Sequence, residues 1–169
     1  WIRDGAMISE GLLRLGRPEV VREYLEWYAP YQFDNGKVPC CVDDRGSDPV
    51  PENDSHGELI FNIAEYWRYT GDRAFLEKMW PHVAGAFGYM EQLRASERTA
   101  ANRALDPAFY GMMPASISHE GYSAKPMHSY WDNFWALRGY KDAVEIARVL
   151  GKDEDARRMA RARDQFRAD

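Results

Sequence analysis

The stretch "GLLRLGRPEVVREYLEWY" (residues 11–28) decides how this chain is read. An amphipathic run stops at Gly16, a charged residue and Pro18 follow, and a second amphipathic run begins. Glycine just past a helix end takes the left-handed conformation that closes it, and proline suits the first turn of the next helix. Apolar residues then recur with helical spacing at Val20, Val21, Tyr24 and Leu25. The plan returns in "YWRYTGDRAFLEKMWPHV" (66–83) around Gly71, with Phe75, Leu76, Met79 and Trp80. It returns again, more sparsely, in "IARVLGKDEDARRMARAR" (146–163) around Gly151, with Ala156, Met159 and Ala160. Short glycine turns make the flanking helices antiparallel neighbours, so the chain reads as three copies of one αα-hairpin.

The repeat predicts six helices, over about 3–16, 18–29, 54–70, 72–95, 131–150 and 153–167. No segment of comparable length alternates like a strand, so the predicted class is all-α, in a single domain spanning 1–169. The links between hairpins are long, about 31–53 and 96–130, and rich in Pro, Gly, Asp and Ser. Loops of this length are usually functional or disordered. Tyr31, Phe33, Tyr110, Tyr122, His119 and Glu120 make a poor composition for disorder. With the tight turns at one end of the hairpin stack, both long loops and the opening "WIRD" fall at the other. That end is the expected active face.

Composition narrows the function. Apolar residues are 45% and charged residues 29%, ordinary for a globular chain, whereas six Trp and ten Tyr are many and favour surfaces that stack on ligands. The net charge of −5 is interspersed and leaves no basic footprint for nucleic acid. No apolar run reaches membrane-spanning length and no signal-peptide pattern is visible, so no membrane partner is expected. The first residue is Trp, so an upstream segment is expected to be missing and the compartment stays open. Cys40 and Cys41 are adjacent and read as reduced thiols, since neighbours neither form a relaxed disulfide nor make a metal site alone. His56, His119 and His128 lack paired ligand spacing, and "DDRGSD" (43–48) lacks the order of a calcium loop. No metal or other cofactor is therefore expected. Nucleophile-elbow, phosphate-loop and dinucleotide motifs are absent too.

Three segments carry a family resemblance. "WIRDGAMI" (1–8) resembles the Trp-x-Arg-Asp opening of a barrel helix in glucoamylase-type glycoside hydrolases. "ENDSHGELIFNIAEYWRYTGD" (52–72) looks like that family's acidic Gly-Glu helix ending in Thr-Gly-Asp. "KPMHSYWDNFWALRGYKDAVEIARVLG" (125–151) resembles the helix after its catalytic-acid loop. The resemblance implies an (α/α)6 toroid of six hairpins that binds sugar at one mouth. The three hairpins here would be half of it, a piece of a larger enzyme.

The site residues follow from that resemblance. Glycoside cleavage needs a carboxylic acid to protonate the departing oxygen. Glu120 is the leading candidate, eight residues before His128-Ser129 as in the family, although it follows His119 where the family more often has Trp-Glu. Asp132 is the rival acid, and also a ready N-cap for the helix that follows. Arg3 and Asp4 would grip sugar hydroxyls, since forked donors beside acceptors complement a polyol. Trp1 would be a stacking platform or simply a frayed end. Asp54 and Glu58, four apart on one face, belong to the expected site, with helix capping as the competing role for Asp54. Tyr122, Lys125, His128 and Trp131 would line a polyol pocket or pack the loop.

The resemblance places the general base in a later hairpin. The expected activity is inverting hydrolysis of α-glucosides or related oligosaccharides, weak or absent in the chain alone. A non-catalytic glycan- or protein-binding module and a phosphorylase on the same barrel are the alternatives. Open barrel edges would expose apolar surface and favour a homodimer.

Overall fold

Gly16, Gly71 and Gly151 all have positive φ (72°, 66° and 72°) in the computed structural model, which describes residues 1–169. Two of them close their helices with the same pair of bonds. The N–H of Gly16 reaches the Leu13 carbonyl and that of Arg17 the Leu12 carbonyl; Gly151 and Lys152 do the same to Arg148 and Ala147. Gly71 closes its helix with one bond, to the Trp67 carbonyl at 2.8 Å. These turns join α1 (Ile2–Arg14) to α2 (Pro18–Tyr28), α3 (Ser55–Thr70) to α4 (Arg73–Glu97), and α6 (Tyr130–Val149) to α7 (Asp153–Ala168). The six long helices lie within a few residues of their predicted bounds, and the class is all-α.

Both long links hold more order than their composition announced. The first contains a two-rung antiparallel pair, β1 (Val42–Asp43) and β2 (Gly46–Ser47), with Val42 opposite Ser47. The second contains α5 (Ala100–Leu105), capped by Thr99, and a single 3₁₀ turn at Pro107–Phe109. Helix α5 buries no residue, which is why no apolar periodicity announced it.

α1, α3 and α6 pack side by side, and α2, α4 and α7 cover them. Contacts between α3 and α6 advance in the same direction along both, from Gly57 against Trp135 to Arg68 against Asp142, so the two helices are parallel. Their approach is close because glycines face each other. A Cβ on Gly139 would lie 2.7 Å from the Gly57 Cα, and one on Gly57 only 2.0 Å from the Trp135 carbonyl oxygen. This contact draws the N-terminal ends of α3 and α6 together.

The core is one cluster of 30 buried residues drawn from all three hairpins. Val21 and Leu25 of the first repeat enter it, but Val20 is exposed: adjacent helix positions diverge by about 100°, and only one of the pair can face inward. Met159 and Ala156 enter from the weakest repeat. Buried Arg94 pins the second link by donating to the Gly111 carbonyl and to Asp169 at the end of the chain. The two links also bond each other, Ile117 N–H to the Pro51 carbonyl and Asn53 Nδ2 to the Pro114 carbonyl.

Candidate functional site

α1, α3 and α6 all begin on the face that carries both links. Helix N-termini present unpaired N–H groups and the positive ends of their dipoles, an environment that favours acidic side chains. Glu52, Asp54, Glu58, Glu120 and Asp132 collect there around one cation, Arg3.

Arg3 organises the cluster. Its Nε and Nη2 donate to Asp54 Oδ2 at 2.9 and 2.6 Å, and its Nη1 donates to Glu120 Oε2 at 2.8 Å. Burial works against its charge, but Asp54 and Glu120 more than offset that and hold the guanidinium above its ordinary range. The same Asp54 oxygen accepts Trp131 Nε1–H at 2.8 Å. Three donors on one oxygen of a buried aspartate fix Arg3 and Trp131 relative to each other, with the guanidinium carbon 5.6 Å from the indole centre. Asp54 is therefore a positioning residue, and although it stands at the N-cap position its side chain makes no cap bond: Arg3 and Trp131 have taken it. Asp132 does not cap either. Ser129 does, accepting from Trp131 N–H at 3.1 Å, and Asp132 lies one turn further in.

Glu120 stands at the tip of a tight turn, where the N–H groups of Gly121 and Tyr122 both bond the Ser118 carbonyl. Its carboxylate is 49% exposed and faces a hollow of about 320 Å³. Arg3, Ser118 and Ser129 contribute polar groups to its lining, and Met7, Tyr122 and Trp131 apolar ones. This is the small end of the range for ligand pockets. Trp1 lies beside it, half exposed, its ring 5.3 Å from that of His119. His119 is locked in turn: its backbone N–H and its Nδ1 lie 2.6 and 2.7 Å from Oε1 of buried Glu52.

Two carboxyl groups lie deeper. Asp132 is 3% exposed and accepts from Ser116 Oγ. Burial, with help from Asp54 and Glu52 and against Ser116 and Arg3, pushes its pKa up to about 7. Glu58 is completely buried, and neither of its oxygens has a hydrogen-bond partner. Burial first, then the charge of Asp54, raises it well above the ordinary glutamate value, which favours the neutral acid. It lies in a polar seam beneath Arg3 with Tyr24 and Asn62. The Tyr24 hydroxyl fits there because Gly5 has no Cβ, which would stand 2.0 Å from it.

The structure thus brings Trp1, Arg3, Asp54, Glu58, Glu120, Tyr122, Trp131 and Asp132 to one end. It does not bring in the rest. Asp4 is exposed, turned from Arg3 by the helical step between them, and has no bonded partner. Lys125 is exposed on the loop and lines no part of the hollow. His128 stacks on Phe109 at 4.6 Å and bonds the Met113 carbonyl, so it packs the loop. Sequence reasoning did not single out Met7, Ser116 or Ser118, and named Ser129 only within the His128-Ser129 pair that locates Glu120. Ser118 carries no signal beyond lying near Glu120, and Met7 only the helical step of four from Arg3.

The family model of the bacterial α-L-rhamnosidase six-hairpin glycosidase domain matches residues 1–169. No curated protein and no solved structure matched. The chain belongs to this family of six-hairpin glycosidase domains, and a glycoside hydrolase-like function with a carbohydrate substrate follows from that membership. No helix is long and apolar enough to cross a membrane.

Proposed function

We propose that this six-hairpin glycosidase domain holds a terminal α-L-rhamnosyl residue in the hollow between Arg3, Glu120 and Trp131 and takes part in its hydrolysis. The chemistry of the lining carries this reading. A 6-deoxy sugar carries both hydroxyls and a methyl group, and the lining combines polar Arg3, Ser118, Ser129 and Glu120 with apolar Met7 and Trp131. α-Glucosides and related oligosaccharides lack that methyl group and leave Met7 and Trp131 without an apolar partner.

Glu120 is the proton donor in this reading, because its carboxyl lies on the wall of the hollow itself. A second reading rests on a specific observation: Asp132 keeps its proton to about pH 7, as a general acid must, whereas Glu120 is ion-paired with Arg3. Aryl rhamnosides separate the two. Replacing the true acid by its amide slows substrates with poor leaving groups by about a hundredfold or more, and spares those whose leaving group needs no protonation. Glu120→Gln is expected to show that pattern. If Asp132→Asn shows it and Glu120→Gln does not, the roles are exchanged.

Inversion needs a second carboxylate about 6.5–9.5 Å from the acid, with a water between it and the sugar. We place that base outside residues 1–169, with the hairpins that complete the six, and read the chain alone as nearly inactive. The assay is release of L-rhamnose from aryl α-L-rhamnosides by the protein carrying this domain, with the first-formed anomer followed by NMR. The β-anomer first is expected. Retained α-configuration refutes inversion, turnover only with phosphate makes the enzyme a phosphorylase, and binding without turnover makes it a glycan-binding module. Exposed Tyr130 and Phe134 on α6, with Ile8 on α1 and Leu15 just past its end, are the edges through which the isolated chain would self-associate. A monomer by light scattering at high concentration rules that out.

A further inference from the structure

Cys40 and Cys41 belong to no step of the proposed chemistry, yet they are held in a particular geometry. The ladder of β1 and β2 pairs Val42 with Ser47, so the next rung sets Cys41 against Asp48, and Asp48 N–H bonds the Cys41 carbonyl at 3.0 Å. The backbone on the other side is equally fixed: the Cys40 carbonyl accepts from Ile2 N–H at 3.0 Å, and the Pro39 carbonyl from the Tyr28 hydroxyl at 2.7 Å. The result is two buried sulfurs 3.7 Å apart, with Asp48 Oδ2 3.7 Å from the sulfur of Cys41. All three ligand atoms lie within 4.8 Å of one another.

Those spacings match a tetrahedral ion. Two thiolates about 2.3 Å from zinc stand roughly 3.8 Å apart, and a thiolate and a carboxylate oxygen roughly 3.5 Å. We propose that Cys40, Cys41 and Asp48 form a binding site for one divalent ion of the zinc class, with the fourth position open to water. Two thiols select a soft or borderline ion over magnesium or calcium, which take oxygen ligands. Binding displaces both thiol protons into solvent, so two thiolates and one carboxylate face a charge of +2. The net −1 that results lies within the field of Lys37, whose charge interacts with Cys40 and Asp48. The ion would clip the β1–β2 turn to the segment that supports Ile2, and so brace the start of α1 behind Trp1 and Arg3. This inference is independent of the sugar chosen above.

A neighbouring triad competes for Cys40. Cys40, Glu52 and His119 also lie within 4.8 Å of one another. There, however, Glu52 and His119 are only 2.7 Å apart and already satisfy each other, closer than the roughly 3.3 Å that two ligands of one tetrahedral ion require. Substitution distinguishes the two sets.

The experiment is titration of the reduced protein with cobalt(II), whose thiolate complexes show charge-transfer bands in the near ultraviolet and strong visible bands when tetrahedral. One equivalent is expected to saturate both signals, and zinc(II) is expected to displace it. Cys40→Ser and Cys41→Ser should abolish the thiolate bands, Asp48→Asn should weaken binding at least tenfold, and His119→Gln should leave it unchanged. Absence of thiolate bands in the folded wild-type protein overturns the proposal, and that result needs no variant. Bands that survive Cys41→Ser but vanish with His119→Gln overturn it as well, in favour of the other triad.

Discussion

Replacing Asp132 by Asn removes a carboxyl whose ionisation the fold resists. Folding moves its pKa from 3.8 to about 7, burial being the main cause. The sign follows from linkage. An acid raised in the folded state contributes stability that is complete below its unfolded pKa and is lost as pH rises through its folded pKa. Between about pH 4 and pH 7 the unfolded chain has released this proton and the folded one has not, which costs about 1.4 kcal/mol per pH unit. Above pH 7 both states are ionised and the loss levels off at roughly 4 kcal/mol. Asn fills the same space, can still bond Ser116, and carries no such dependence. Urea unfolding of both proteins at pH 5, 6, 7 and 8 measures the difference directly. The stability of the variant minus that of the wild type should climb by about 1.4 kcal/mol per unit to pH 7 and then flatten. Parallel pH profiles would refute the claim that folded Asp132 holds its proton up to about pH 7, and with it the second reading of the proton donor.

Three further outcomes follow from the same geometry. Arg3→Ala leaves the buried Asp54 charge with no cationic partner, only the Trp131 bond and a 3.4 Å contact from Ser55 Oγ, and should cost about 3 kcal/mol in urea unfolding as well as weakening sugar binding. Gly57→Ala sets a methyl group against the Trp135 carbonyl, a backbone atom that cannot swing aside; the expected loss is about 3 kcal/mol, measured by thermal unfolding. Glu58, neutral and without a partner, should give the infrared carbonyl band of a protonated carboxylic acid at neutral pH, and Glu58→Gln should erase it.

The hairpins were legible because helix termination is local chemistry. Gly16, Gly71 and Gly151 each close a helix through bonds to residues three to five positions back, all within one reading window. The site was legible only in part, because its contacts are remote: Arg3 meets Asp54 and Glu120 across 51 and 117 residues. No spacing rule reaches that far, and the family resemblance alone placed those residues together. Capping was misjudged at Asp54 and Asp132, since an aspartate at a helix start looks the same whether it caps or is claimed by a distant arginine or serine. The Cys40–Cys41–Asp48 cluster escaped for a related reason. Its third member arrives through the β1–β2 register, and a pair of two-residue strands leaves no periodicity to read.

The proposed sugar site lies among Arg3, Glu120 and Trp131 at the shared beginning of three helices. Its most direct test is a titration with L-rhamnose that follows the tryptophan indole N–H resonances. Trp131 should shift and saturate, with Trp1 following, while Trp67 and Trp80 at the glycine-turn end stay fixed. Movement at Trp67 or Trp80 with Trp131 unmoved would put the sugar elsewhere and rule out this site.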